Sequence, residues 1–208
     1  KLKDIKNFKI SADLLFSDIK ASFLRVTLIS IIAWISGIIC GYFLYHFQIL
    51  HSLFIAFINF VRHISPFCWL PFAIIWFGLG EAPVAFIMFI TLFFPTLIAS
   101  ISTFANIPSE YLDEAQVSGA NQFQIFFRIE LPLIIGSLFN LFRIIWGLGW
   151  ATIIAVEMLG VNSGLGFRLL DFRYLLKYPD MLFYVIIMGT IGIFIDYLLR
   201  IFIEKIKY

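Results

Sequence analysis

Four stretches of this 208-residue chain are long, apolar and nearly free of charge, and they constrain the fold more than any other feature. Val26–Tyr45 and Ala82–Thr103 carry no charged residue, Leu131–Val156 carries only Arg143, and Met181–Ile203 carries only Asp196 and Arg200. About 20 mostly apolar residues let an α-helix cross the hydrocarbon layer, and each stretch reaches that length. Charged residues make up 13% of the chain, against about 25% in a soluble domain. A surface so poor in charge suits lipid. The chain reads as an all-α, polytopic transmembrane helix bundle forming a single domain, 1–208.

The segment Ile49–Leu79 is also apolar but is interrupted by Arg62, His63, Pro66 and Pro71. It reads as a short surface helix followed by one span, which brings the total to about five. Pro95 should only kink its helix, because neighbouring helices can satisfy a freed carbonyl. Lys205 and Lys207 place the C-terminus inside by the positive-inside rule. Five spans then leave the N-terminus outside, whereas Lys1, Lys3, Lys6, Lys9 and Lys20 favour inside. Either the count is off by one, or residues 1–20 are a surface segment that follows an upstream helix; the chain opens on Lys1 and not Met, which favours the second reading.

Several chemistries are disfavoured. A net charge of +2 with scattered basic residues gives no nucleic-acid stripe. Cys40 and Cys68 lie in apolar runs without CxxC or Cys/His spacing and are expected as buried free thiols. His46, His51 and His63 lack metal-ligand spacing and are expected near the interface. No HExxH pattern, nucleophile–base pair or phosphate-binding GxxxxGK[ST] loop is present, so a catalytic residue, a metal site or a bound cofactor is not expected.

The polar connection at 105–131 has an internal logic of its own. Glu110, Asp113 and Glu114 come early in a short helix, where the helix dipole favours negative charge. Gly119 can take the left-handed conformation that ends a helix. Asn121 and Gln124 fit a capping box that starts a second helix, and Pro132 suits the first turn of the following span. The expectation is a helix–turn–helix elbow at the membrane surface, built to dock on a partner and pass force into a span.

That segment resembles the EAA loop of ATP-binding-cassette (ABC) importer permeases: Glu-Ala-Ala, three residues, Gly, nine residues, Ile, one residue, Leu-Pro. The pattern falls on Asp113, Glu114 and Ala115, then Gly119, Ile129, Leu131 and Pro132, with both spacings kept and the first triplet altered. Ile64–Glu81, the run from Arg143 through Trp150 to Glu157, Gly164–Gly166 and Gly192–Arg200 resemble permeases for nitrate, sulfonate, taurine and bicarbonate. From about Ser22 onward the chain is similar to that group, whose members usually carry one more helix before the position of Lys1. The resemblance implies a type I ABC importer permease fold in the bacterial cytoplasmic (inner) membrane. It also implies a homodimer, two ABC ATPase subunits that carry ATP and Mg, and an extracytoplasmic substrate-binding protein. Ser109, Glu110, Leu112 and the pattern residues would couple to the ATPase at a cytoplasmic loop, 105–131. The substrate would be a small oxyanion, or alternatively a pyrimidine-like vitamin precursor. A secondary transporter would usually show a two-fold repeat and more spans.

Arg143, Glu157 and Asp196 are ionisable groups within spans, which are costly and therefore candidate functional residues. Arg143 and Glu157 are about 21 Å apart along one helix and share roughly one face. That face either lines a pathway or pairs with neighbouring helices. Trp69, Trp76, Trp146 and Trp150 either stack on substrate or pack within the bundle. Arg143 lies about 17 Å in from Pro132 and Asp196 about 10 Å in from Ile203. If their helices are antiparallel neighbours, the two are expected to pair.

Overall fold

The computed structural model describes residues 2–206, with side chains described over 13–205. Lys1 and Lys207 of the orientation argument lie outside the described residues, and the side chains of Lys3, Lys6 and Lys9 lie outside the described side chains. Among the described residues the elements are α1 (Leu2–His46), α2 (Gln48–His63), a 3₁₀ turn (Pro66–Trp69), α3 (Leu70–Phe77), α4 (Glu81–Ala105), α5 (Ser109–Val117), α6 (Gln122–Ile125), a π-helical segment (Phe126–Glu130), α7 (Leu131–Gly160), α8 (Leu165–Tyr174) and α9 (Tyr178–Ile206).

Four helical stretches are long and apolar enough to cross a membrane: Asp13–His46, Glu81–Ala105, Gln122–Gly160 and Tyr178–Lys205. The expected surface segment at 1–20 is instead continuous with the first span, because α1 runs unbroken from Leu2 to His46. At 1.5 Å per residue that is about 67 Å, over twice the hydrocarbon thickness. The third crossing also begins earlier than its apolar run, since α6 and the π-helical segment join α7 without a break.

The segment after α1 departs from expectation. α2 and the helical stretch Pro66–Phe77 meet at a bend of 91°. Their lengths, about 24 Å and 18 Å, fall short of the roughly 30 Å layer. His46 ends α1 beside Glu130, at the end of the bundle that holds the elbow. Glu81 begins α4 beside Arg25, at the far end. The chain between them must therefore travel from one end to the other, so the pair forms a single broken crossing. Pro66 and Pro71 prevent a straight helix here, since each lacks the N–H and crowds the preceding turn.

α1 and α4 approach each other closely. The buried stripe of α1 runs through Ser22, Val26, Ser30, Ala33, Gly37, Gly41 and Leu44, spaced three or four residues apart and mostly small. Small residues let membrane helices approach closely. A Cβ at Gly37 would sit 2.7 Å from Thr96 Cγ2, and one at Gly41 would run into the Ser100 side chain. Ser100 donates to the Gly37 carbonyl at 3.1 Å, so the two backbones touch through one hydroxyl.

α7 packs against α1 and α4 through Ile134, Leu138, Leu141, Ile145, Gly149 and Ile153, and α9 lies antiparallel along its other side. Trp150 donates to the Met188 carbonyl at 3.1 Å, and nearer the elbow Phe139 meets Phe202. The large exposed apolar residues of α1, α2 and α9 suit lipid or a second chain. Cys40 and Cys68 are both free and exposed, contrary to the buried thiols expected: Cys40 falls off the packed stripe of α1, and Cys68 lies in the 3₁₀ turn, which buries no residue.

Candidate functional site

The elbow forms as the residues dictate. α5 is nine residues long, with Glu110 in its first turn. Gly119 adopts φ +78°. Ala120 N–H donates to Ala115 O at 3.0 Å, and Gly119 N–H donates to Gln116 O at 2.9 Å. That double closure is the Schellman ending, which requires the left-handed residue. Asn121 then opens α6 with a complete capping box: its Oδ1 accepts from Gln124 N–H at 2.8 Å, and its own N–H donates to Gln124 Oε1 at 2.9 Å.

One face of α5 is tied down. Leu112 packs with Leu131 against Phe104, Ile107, Ile134 and Leu138, and Ala115 is buried. Ser109, Glu110, Asp113 and Glu114 stay exposed, as do Tyr111 and Val117. A short helix with an acidic outer face and an anchored inner face is thus joined to a span by continuous helix. The π-helical segment explains that continuity. Pro132 cannot donate to the preceding turn and its ring crowds the carbonyl four residues back, and widening the turn relieves both. Ile129 is half-buried, and Pro132 is exposed in the first turn of α7.

The widened turn has a second effect. Successive inward residues are Ile125, Glu130, Ile134 and Leu138, a step of five followed by steps of four. Glu130 is thereby enclosed, with its Oε1 3.4 Å from His46 Nε2. Sequence reasoning passed over Glu130, since the run around it carries an ordinary surface mix of charge.

The far end carries a denser network that was also missed. Arg25 donates through Nε to Glu81 at 2.6 Å, through one terminal nitrogen to Glu157 at 2.7 Å and to the Ser163 carbonyl at 2.8 Å, and through the other to Ser163 Oγ at 2.7 Å. Glu157 is fully buried and also accepts from Ser22 Oγ at 2.8 Å and from Gly166 N–H at 2.9 Å. Arg168 donates to Asp18 at 2.9 Å, and this bond holds its guanidinium above the ordinary arginine range. Gly164, at φ +110°, turns the chain so that the first amides of α8 face Glu157 and Ser22. A helix N-terminus suits a carboxylate. Beside this network lies a cavity of about 490 Å³ lined by Glu81, Gly160, Asn162 and Ser163 among others.

Arg143 and Asp196 pair across α7 and α9 as expected, with two hydrogen bonds of 2.6 Å. The structure therefore separates the roles of Arg143 and Glu157: the first bonds α9, and the second is locked to α1 and α8. Trp146 and Trp150 stack on one another at 5.5 Å inside the core. Among the described residues no group of three or more His, Cys, Asp or Glu is placed to hold a metal.

Residues 15–208 match the family described as binding-protein-dependent transport system inner membrane component. An ABC transporter permease protein of Methanocaldococcus jannaschii is 35% identical over 171 residues, covering 81% of this chain. The chain spans 62% of that relative's length. A bicarbonate transport system permease protein of Synechococcus elongatus is 31% identical, covering 88% of this chain and 66% of its own. Among solved structures, the MetNI methionine ABC transporter in inward facing conformations superposes with a TM-score of 0.81 at 16% identity, over 93% of this chain and 96% of that one.

Proposed function

The chain belongs to the family of binding-protein-dependent transport system inner membrane components, and from that premise we propose that it is the permease subunit of an ABC importer, with residues 105–131 as its coupling loop. The observation that carries this reading is the elbow: an exposed acidic helix closed by Gly119, restarted at Asn121 and continuous with a span. ATP and Mg belong to two separate ATPase subunits, whose grooves receive Ser109–Gly119. A second copy of this chain completes the pathway, because five crossings enclose little by themselves, and a two-fold pair is the commonest closed assembly.

On this reading an extracytoplasmic binding protein delivers solute to the end that holds Arg25, Glu81 and the 490 Å³ cavity. Closure of the ATPases draws the two elbows together and opens the pathway outward, and hydrolysis reverses the movement. The chain has two packings whose balance both partners bias. A small oxyanion is the substrate class best supported, since named relatives carry bicarbonate and nitrate. Co-purification tests the reading: the tagged chain should bring down a nucleotide-binding subunit, which a secondary transporter would not.

A further inference from the structure

Glu130 is a buried carboxylate with no place on the outer face of the elbow. It is 1% exposed, and neither oxygen has a hydrogen-bond partner among the described residues. Its nearest counter-group is His46 Nε2, 3.4 Å away at the end of α1. Tyr42 and Tyr45 face it from the same helix, while α5 and α6 contribute Leu112, Gln116 and Gln122 and no charged side chain. These groups line a cavity of about 360 Å³ at the root of the elbow.

The enclosure of Glu130 by the elbow is a product of the π-helical segment. A turn of ordinary α-helix in its place would swing the elbow by about 100° relative to α7 and break the line from Ile125 to Glu130. A carboxylate withdrawn from water is strongly unfavourable unless a charge answers it. The imidazolium form of histidine can do so, and the neutral ring supplies no charge.

We propose that Glu130 is a positioning residue for coupling: bonded to protonated His46, it fastens the elbow to the inner end of the first span, so that elbow movement carries α1 as well as α7. This rests on the permease reading above. The fastening is ionic only while His46 holds its proton.

The test uses the full chain in lipid nanodiscs, with Cys40→Ser and Cys68→Ser and spin labels at Ile49 and Val117, two exposed positions on either side of the contact. Labelled chain is diluted with unlabelled chain, and distance distributions are recorded at about pH 5.5 and about pH 8.5, either side of the imidazole titration. The wild type should be narrow at the lower pH and broader at the higher. Glu130→Gln and His46→Gln should be broad at both, and His46→Lys, a cation throughout, should be narrow at both. If Glu130→Gln fails to insert, the two His46 variants decide. A wild-type distribution that ignores pH and matches His46→Gln overturns the contact. In the complex with its ATPase, His46→Gln should also lower ATP hydrolysis about three- to tenfold with assembly retained. Unchanged hydrolysis overturns the coupling role. If no ATPase subunit accompanies the wild type, the permease reading fails and the coupling role with it, while the distances still judge the contact.

Discussion

Arg143 and Asp196 meet across α7 and α9 through two bonds of 2.6 Å, Nε to Oδ1 and a terminal nitrogen to Oδ2. Fork-to-fork pairing fixes orientation as well as distance. Part of the pair remains open in the single chain, and lipid is a poor neighbour for it. A second copy or a hydrated path is the better cover.

Asp196→Asn should therefore weaken the assembled complex, lowering its thermal midpoint by about 3 °C. Arg143→Gln added to it should cost little more, because the two residues act as one unit. Thermal unfolding of the purified complex, set beside solute uptake, checks this. Uptake abolished by Arg143→Gln alone, with stability and assembly intact, would instead place the guanidinium on the substrate path.

Cysteines introduced at Ser109 and Gln116, both exposed on α5, should crosslink to the ATPase subunit. Reaction only with reagents applied from outside the cell would invert the topology.

Gly119 has open space around it, with nothing within 4 Å of an added Cβ. The demand on that position is conformational, since φ is +78°. Gly119→Val should keep expression near normal and cut ATP-driven uptake severely, because a β-branched residue resists the left-handed region. Gly119→Asn should retain most activity, as asparagine tolerates that region. Equal activity in both variants would make the glycine a plain linker.

Gly41→Ala should destabilise the fold by about 1–3 kcal/mol through overpacking, because the new methyl runs into Ser100 on α4. Ser100→Ala should restore part of the loss by making room. Denaturation of the two single variants and the double variant measures the compensation, and strictly additive losses would contradict the close crossing.

Removing Glu157 should be the most damaging of these changes. Glu157→Ala removes the buried carboxylate that Arg25, Ser22 and the Gly166 amide share, leaving Arg25 with Glu81 and Ser163 and a cavity where Glu157 sat, at a cost of about 2–4 kcal/mol. Gly166→Ala should injure the same knot sterically, since its Cβ would lie 2.8 Å from Glu157 Cβ. Both should lower the yield of folded chain, read by size-exclusion chromatography, before they alter solute preference.

Local signals account for what the sequence disclosed. The four crossings are visible because a charge-free run of that length has few other uses. The elbow is visible because Gly119, Asn121, Gln124 and Pro132 each act on their immediate neighbours. The Arg143–Asp196 pair could be anticipated from depth once α7 and α9 are taken as antiparallel neighbours. Arg25 could not, since it looks like a basic residue flanking a span and its partner Glu157 is 132 positions away. The bend of 91° after α2 is likewise hidden: Pro66 and Pro71 announce a break, but packing sets its direction. Glu130 was obscured because the run around it reads as charged surface: it falls four residues before Ile134 on the buried face of α7, and the widened turn brings Ile125 and the elbow over it. Gly37 and Gly41, four apart on an apolar helix, were a readable sign of close packing.

The unbroken helix from Gln122 to Gly160 is 39 residues long, or about 58 Å, and it acts as a lever arm. A tilt of about 5° pivoting at the elbow would sweep Gly160 through roughly 5 Å, simple geometry on that length. Gly160 accepts a bond from Gly80 N–H at 3.0 Å, and Glu157, one turn before it, grips α1 and α8. Motion too small to unseat α5 from a docking groove would be magnified at the opposite face into a displacement the size of a solvated ion. The transmission needs no hinge along its length.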